Sequence, residues 1–288
     1  MSTQEAAVLE RRRIRGPSAL GGEPRRFLHL TLTLAAMDFK LKFFGSVLGY
    51  LWQLMRPLML FGVLYLVFVQ FVRLGGERVP HYPAVLLTGI VTYMFFAAAT
   101  AESVTAVLDR EQLVRKIEFP RLVIPLSVVT VAYFDLMLNY VAVFIFVLAN
   151  GVEPRWSWLE LVPLLLALGT LATGIGMLVS ALYVRYRDVA PIWEVMLQVF
   201  FYISPILYPI ELVAEEGGEK VQQLMMLNPL AAILQQIRHV VIDPNAMSAG
   251  EAAGGWVWIL IPAGIILGLF ALGFWVFNRE APRIAEEL

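Results

Sequence analysis

Six long apolar runs, over 47–72, 84–108, 122–149, 161–184, 189–208 and 256–277, restrict this chain more than any other feature. A hydrocarbon layer of about 30 Å is crossed by about 20 helical residues at 1.5 Å each. Inside that layer only a helix or a closed barrel satisfies its own backbone groups. Barrel strands need only about 9–11 residues, so runs this long predict an all-α integral membrane protein with six transmembrane helices. The charge content agrees: 16% of residues are charged, against roughly 25% in soluble domains.

Charge also fixes the expected topology. Sixteen of the 22 Lys and Arg fall before the first run, in alternate connections and after the last run; five, Arg73, Arg78, Arg155, Lys220 and Arg238, fall in the other connections. Cationic loops stay on the cytoplasmic side, so both termini are expected there. The leader, 1–24, is polar and basic, and Met1–Arg26 holds no apolar core that would suit a cleaved signal. A net charge of −1 gives no electrostatic case for nucleic acid. The absence of Cys removes disulfides, thiolate metal sites and cysteine nucleophiles.

Three segments outside the runs carry their own signals. Residues 25–44 set Phe27, Leu28, Leu32, Ala35, Phe39 and Phe43 on roughly one stripe, with Arg26, Asp38, Lys40 and Lys42 largely off it. That pattern predicts an amphipathic helix lying on the inner leaflet. The loop 109–121 is dense in charge yet carries Leu113, Val114, Ile117 and Phe119, the pattern of a short helix with one face for a partner. The connection 209–255 holds a stretch too polar to span and too apolar to be a free loop. It predicts one or two short re-entrant helices at the outer face, broken at Asn228-Pro229.

Signs of catalysis are lacking. His29, His81 and His239 are scattered, and no GxSxG, HExxH or GxxxxGK[ST] pattern occurs. If transport here consumes ATP, the nucleotide therefore binds another chain, and no metal site or cofactor is expected in this one. Four ionisable residues interrupt the runs: Arg56, Glu102, Asp135 and Glu194. Each costs several kcal/mol unless paired or wetted. By helical rise Arg56 and Asp135 both fall roughly 15–20 Å from the inner ends of their helices, which suits one buried pair, either a packing ion pair or a substrate contact. Glu102 and Glu194 fall roughly 8–10 Å in, where an entrance or gate role stands beside plain solvation. Aromatic residues along the first and fifth runs, Tyr50, Trp52, Trp193, Phe200, Tyr202 and Tyr208 among them, are core or interface residues or a sugar-stacking wall.

The motifs carry a resemblance. Leu48-Gly49-Tyr50-Leu51-Trp52 with Arg56-Pro57, His81-Tyr82-Pro83, Leu87-Thr88-Gly89, Phe95-Phe96, Phe119-Pro120-Arg121 with Pro125-Leu126-Ser127, Tyr186-Arg187-Asp188-Val189, Ser204-Pro205-Ile206-Leu207-Tyr208-Pro209 and Asn228-Pro229-Leu230 occur in one order. Together they resemble the membrane subunit of ABC-2 type exporters for lipid-linked polysaccharides, over about residues 25–280, with 281–288 as a cytoplasmic tail. The resemblance implies a homodimeric half-transporter in the bacterial cytoplasmic membrane. It implies two copies of an ATP-binding subunit that hold the ATP and magnesium, and a polyprenyl-diphosphate-linked glycan of O-antigen, teichoic acid or galactan type as cargo. On that reading Glu111, Leu113, Val114, Lys116, Ile117 and Phe119 couple to the ATPase, with Arg187 and Asp188 as a smaller contact. Arg25, Arg26, Lys40 and Lys42 meet the headgroup at the entrance, a role that positive-inside topology and anionic lipid also explain. Tyr50, Trp52, Arg56, Glu102, Asp135, Trp193, Glu194, Phe200, Tyr202 and Tyr208 are conduit or gate candidates. A drug exporter of the same superfamily, or a membrane enzyme of lipid-linked sugar assembly, is the alternative.

Overall fold

The computed structural model describes residues 24–44, 49–73, 79–112 and 120–287, and every regular element among them is helical. In chain order these are α1 (Pro24–Phe43), α2 (Gly49–Tyr65, continued by a π-helical turn over Leu66–Phe71) and α3 (Tyr82–Asp109). There follow α4 (Val123–Ala149), α5 (Leu161–Arg185), α6 (Val189–Ile203), α7 (Ile210–Gly217), α8 (Glu219–Met226), α9 (Pro229–Ile237), α10 (Ala249–Ala252) and α11 (Leu260–Glu287). Short 3₁₀ segments at Trp156–Glu160 and Trp256–Ile259 lead into α5 and α11.

Among the described residues five helices are long and apolar enough to cross a membrane: Leu51–Phe71, Tyr82–Asp109, Val123–Ala149, Trp156–Arg185 and Trp256–Ala281. The expected span over 189–208 is not one continuous helix. Its helix, α6, ends at Ile203 after 15 residues, and the backbone turns extended at Ser204, with ψ at 148°. Ser204 precedes Pro205, whose ring disfavours helical backbone in the residue before it. The segment nevertheless continues along α3. Tyr93 Oη donates to the Leu197 carbonyl, Ile206 packs at Gly89, and Tyr82 Oη donates to the Leu207 carbonyl at 2.6 Å, so helix and extended stretch together follow α3 back to its first turn.

Helix α3 is the centre of the bundle, because its small and hydroxylated positions admit neighbours on every side. Ala84, Thr92, Ala99, Thr100 and Ser103 are fully buried. Thr92, Thr100 and Ser103 each return a hydrogen bond to the carbonyl four residues back, so the polar atoms are satisfied inside their own helix. Helices α5 and α11 meet at Gly174 and Gly273. A methyl built at Gly273 would lie 2.0 Å from the Gly174 carbonyl oxygen, so the crossing requires glycine there.

The two ends of the bundle differ. At one end Phe27 of α1, Val107 of α3, Ile124 of α4 and Phe277 and Ala281 of α11 share an apolar cluster, which places α1 and the end of α11 together. The opposite end is covered by α7–α10. The predicted break at Asn228-Pro229 is the α8–α9 junction, where the Asn228 side chain caps α9 by accepting from Leu230 N at 3.1 Å and Pro229 takes the first helical position. Gln235 donates to the Met247 carbonyl at 2.6 Å, Ser157 to the Val240 carbonyl at 2.7 Å, and buried Arg238 pairs with Glu211 at 2.8 Å.

Candidate functional site

Of the four charged residues that interrupt the apolar runs, Glu194 stands apart on α6, while Arg56, Glu102 and Asp135 converge on one recess. It is lined by Lys42 of α1, Gln53 and Arg56 of α2, Glu102 of α3, and Asp135 and Asn139 of α4, with an apolar back wall that includes Pro57, Phe95 and Leu136. Lys42 is at its centre: Nζ lies 2.8 Å from Asp135 Oδ2 and 3.4 Å from Glu102 Oε1. The expected Arg56–Asp135 pair is therefore replaced. Lys42, expected at a headgroup on the surface, reaches inward and takes Asp135, while Arg56 shares the recess and makes no ion pair among the described residues.

The reason is the face that α1 buries. Phe27, Thr31, Ala35, Asp38, Phe39 and Lys42 follow one another at helical spacing. Thr31 and Ala35 are buried, and the Phe39 ring packs edge-on against Phe134 of α4 at 5.2–5.4 Å from its aromatic neighbours Phe43 and Phe134. Leu28, Leu32, Met37 and Leu41 are exposed instead. The docked face thus runs between the two sets read from the sequence: it includes two charges expected off the apolar stripe and leaves out two leucines expected on it. Helix geometry decides this, since Asp38 and Lys42 stand four residues, about one turn, apart and project on one side. Asp38 pairs with Arg110, immediately beyond α3, and Lys42 with Glu102 and Asp135. Sequence reasoning missed the Asp38–Arg110 contact; the signal for it was that four-residue spacing beside buried Ala35.

Electrostatically the tie favours the charged lysine. Burial works against the ammonium, but Glu102 and then Asp135 outweigh it, so the Lys42 pKa lies above its ordinary 10.5. Asp135 is 5% exposed, and its second oxygen, Oδ1, is buried without a hydrogen-bond partner among the described residues. Asn139 donates to the Asp135 carbonyl at 2.8 Å and so does not relieve that oxygen. An ammonium shared between carboxylates on two helices crosslinks α3 and α4, and removing it would leave the buried Asp135 charge uncompensated.

The other expected site residues are placed as follows. Arg25, Arg26 and Lys40 are exposed along α1. Glu111 comes one residue after Arg110, which caps the end of α3, whereas Leu113, Val114, Lys116, Ile117 and Phe119 lie outside the described residues. Arg187 and Asp188 are exposed in the tight turn between α5 and α6, with the Arg187 guanidinium 5.0 Å from the centre of the Tyr183 ring. Helix α6 divides the aromatic candidates. Trp193 and Phe200 pack inward, Phe200 onto Phe96 of α3 with ring centres 6.2 Å apart, while Glu194 and Tyr202 are exposed. Tyr208 donates to the Tyr202 carbonyl at 2.9 Å. Trp52 is exposed on α2, and Tyr50 belongs to α2 with its side chain outside the described set.

Comparison with known proteins adds an independent finding. The profile of a family described as ABC-2 type transporter matches residues 29–242. The O-antigen export system permease protein RfbA of Klebsiella pneumoniae is 28% identical over 261 residues, 90% of this chain and 95% of that protein. RfbA of Myxococcus xanthus is 25% identical over 214 residues, covering 74% of this chain and 80% of its own length. The polysialic acid transport protein KpsM of Escherichia coli is 23% identical over 224 residues, 74% of this chain and 81% of its own.

Proposed function

We propose a mechanism from the premise that this chain belongs to the ABC-2 type transporter family and is the transmembrane subunit of a polysaccharide exporter. The observation that carries the premise is length: the match to an O-antigen export permease runs through 90% of this chain and 95% of the relative. In this proposal two copies form the conduit, two copies of a separate ATP-binding subunit supply the energy, and the cargo is a polyprenyl-diphosphate-linked glycan moved from the cytoplasm to the outer face. A membrane with both termini inside needs an even number of crossings. In this proposal the sixth crossing is the α6 segment prolonged by Ser204–Leu207, a reading supported by its hydrogen bonds along α3, and α7–α10 serve as gate helices outside.

The mechanical reading rests on the recess. Arg110 stands between α3 and the 111–119 segment, where the ATP-binding subunit docks in this proposal, and it pairs with Asp38 of α1. One turn further along α1, Lys42 grips Glu102 and Asp135. A push on that segment therefore moves α1, and α1, tied by the Lys42 ion pairs and by the packing of Phe27 and Phe39, carries the motion to α3 and α4.

Deleting the gene should remove surface polysaccharide and leave lipid-linked glycan inside the cell, with recovery on complementation. Unchanged surface polysaccharide in the deletion strain would refute the assignment to glycan export and return the drug-exporter reading. Topology is testable separately, because the chain has no Cys and single-cysteine variants are clean. Gly217→Cys should react with a membrane-impermeant maleimide added to intact spheroplasts, and Arg187→Cys only after permeabilisation; the reverse pattern inverts the proposed orientation.

A further inference from the structure

Below the Gly174–Gly273 crossing α5 and α11 lie in contact; towards the end covered by α7–α10 a cleft opens between them, roofed by α9. Its cavity volume is about 310 Å³, and its walls are almost entirely apolar, with Leu164 and Ala167 from α5, Ile233 from α9 and Ala263 and Ile266 from α11. Measured along α5 from Glu160 to Ala167, it reaches roughly 10 Å into the span. The flanking surfaces, Val162 and Leu166 on α5 and Leu260 and Leu267 on α11, are exposed apolar side chains of membrane-crossing helices, so the cleft opens towards lipid. Water gains nothing in a dry apolar slot at that depth.

The rim differs from the floor. Trp156, Trp256 and Trp258 are exposed at this level, the belt that marks the boundary between headgroups and hydrocarbon. Trp256 lines the cleft and lies flat over Gly250, where a methyl would meet its ring at 2.6 Å. Glu160 is on the same rim. Its Oε2 accepts from Gln236 Nε2 at 3.3 Å, and among the described residues no cation stands within ion-pair distance of it. An unpaired carboxylate at headgroup height above an acyl-sized slot is complementary to an ammonium above a hydrocarbon tail.

We propose that this cleft holds one acyl chain of a phospholipid from the adjoining leaflet, with an ammonium-bearing headgroup, of the phosphatidylethanolamine type, seated on Glu160. The bound chain wedges α5 and α11 apart at the end where α9 rests on both. The inference needs only that these helices cross a membrane, and it stands apart from the identity of the exported cargo.

The test uses the full chain purified in mild detergent, offered phosphatidylethanolamine or phosphatidylglycerol of the same acyl composition, with bound lipid counted by native mass spectrometry. The wild type should retain one phosphatidylethanolamine per chain. Ala263→Phe fills the slot and should lower that occupancy about tenfold, the scale of overpacking a defined cavity. Glu160→Gln leaves the slot open and should take the preference for phosphatidylethanolamine from about fivefold to parity, the scale of one exposed ion pair. A wild type that retains no lipid, an Ala263→Phe chain that retains it in full, or an unchanged preference in Glu160→Gln overturns the proposal. So does a loss of self-association in Ala263→Phe, which would make the cleft a contact between copies. Should Ala263→Phe fail to fold, the Glu160→Gln preference still decides.

Discussion

The most apolar 18 residues of Leu51–Phe71 and of Tyr82–Asp109 have the same mean hydropathy, yet 6% of the first set and 72% of the second is buried within the chain. Sequence places both in a membrane and does not say which one holds the protein together. The difference is in the small and hydroxylated positions. Helix α3 alternates large side chains with Ala84, Gly89, Ala99 and Ser103, which let α4, α5 and α6 approach; the α2 segment presents Met59, Val63, Leu66 and Phe71 outward to lipid or to another chain. In lipid, apolarity provides no drive for one helix to seek another, so close approach and polar contacts decide.

The strongest way to break this contrast uses the two cations of the recess. Lys42→Ala should cost about 3–5 kcal/mol, because it leaves Asp135 buried without its partner. Arg56→Ala, on α2, should stay within about 0.5 kcal/mol. Adding Asp135→Asn to Lys42→Ala should recover most of the loss. Unfolding in mixed micelles measures all three, and equal effects of the two single substitutions would mean that Arg56 is a partner after all. The pKa of Lys42 sets the pH window. With the folded value above 10.5, the tie is fully present below pH 10.5 and is lost only as pH rises through the folded value, so the difference between Lys42→Ala and wild type should be flat from pH 6 to 9.

A matched pair of aromatic truncations gives the next effect. Phe96 on α3 is 2% exposed and packs on Phe200; Phe71, ending the α2 segment, is 81% exposed. Phe96→Ala should cost about 2 kcal/mol or more through the cavity it leaves, and Phe71→Ala less than about 0.5 kcal/mol. If Phe71→Ala proves costly in the assembled transporter but not in the isolated chain, the α2 face is covered by a second copy.

The positions of the crossing helices were legible because length and apolarity leave a membrane segment few options. α1 was placed within a residue at each end, and the Asn228-Pro229 break fell where Pro can only begin a helix. What the sequence hid was rotation. The stripe of Leu28 and Leu32 identifies a helix with an apolar side, but lipid and protein are equally apolar neighbours, so the pattern cannot tell which side docks. Asp38 and Lys42 carried that information through their partners on α3 and α4, which lie 60 or more residues away and are visible only once the bundle is built. The shortened α6 was hidden differently. Its run is apolar to Tyr208, and hydropathy does not register that Pro205 bars helical backbone at Ser204.

The smallest effect probes why α3 tolerates hydroxyl groups in its core. Thr92 Oγ1 accepts from Tyr140 Oη of α4 at 2.8 Å while donating its own proton to the Thr88 carbonyl. Hydrogen bonds between membrane helices average about 0.6 kcal/mol and reach about 1.7 at most, since the separated helices find other partners. Thr92→Val keeps the shape and removes the bond, so it should cost about 0.6 kcal/mol, and Tyr140→Phe a similar amount. The double variant should cost little more than either single one, because both remove the same contact. Additive losses would mean that Tyr140 and Thr92 act independently, and that α3 and α4 are joined by packing and the Lys42 tie alone.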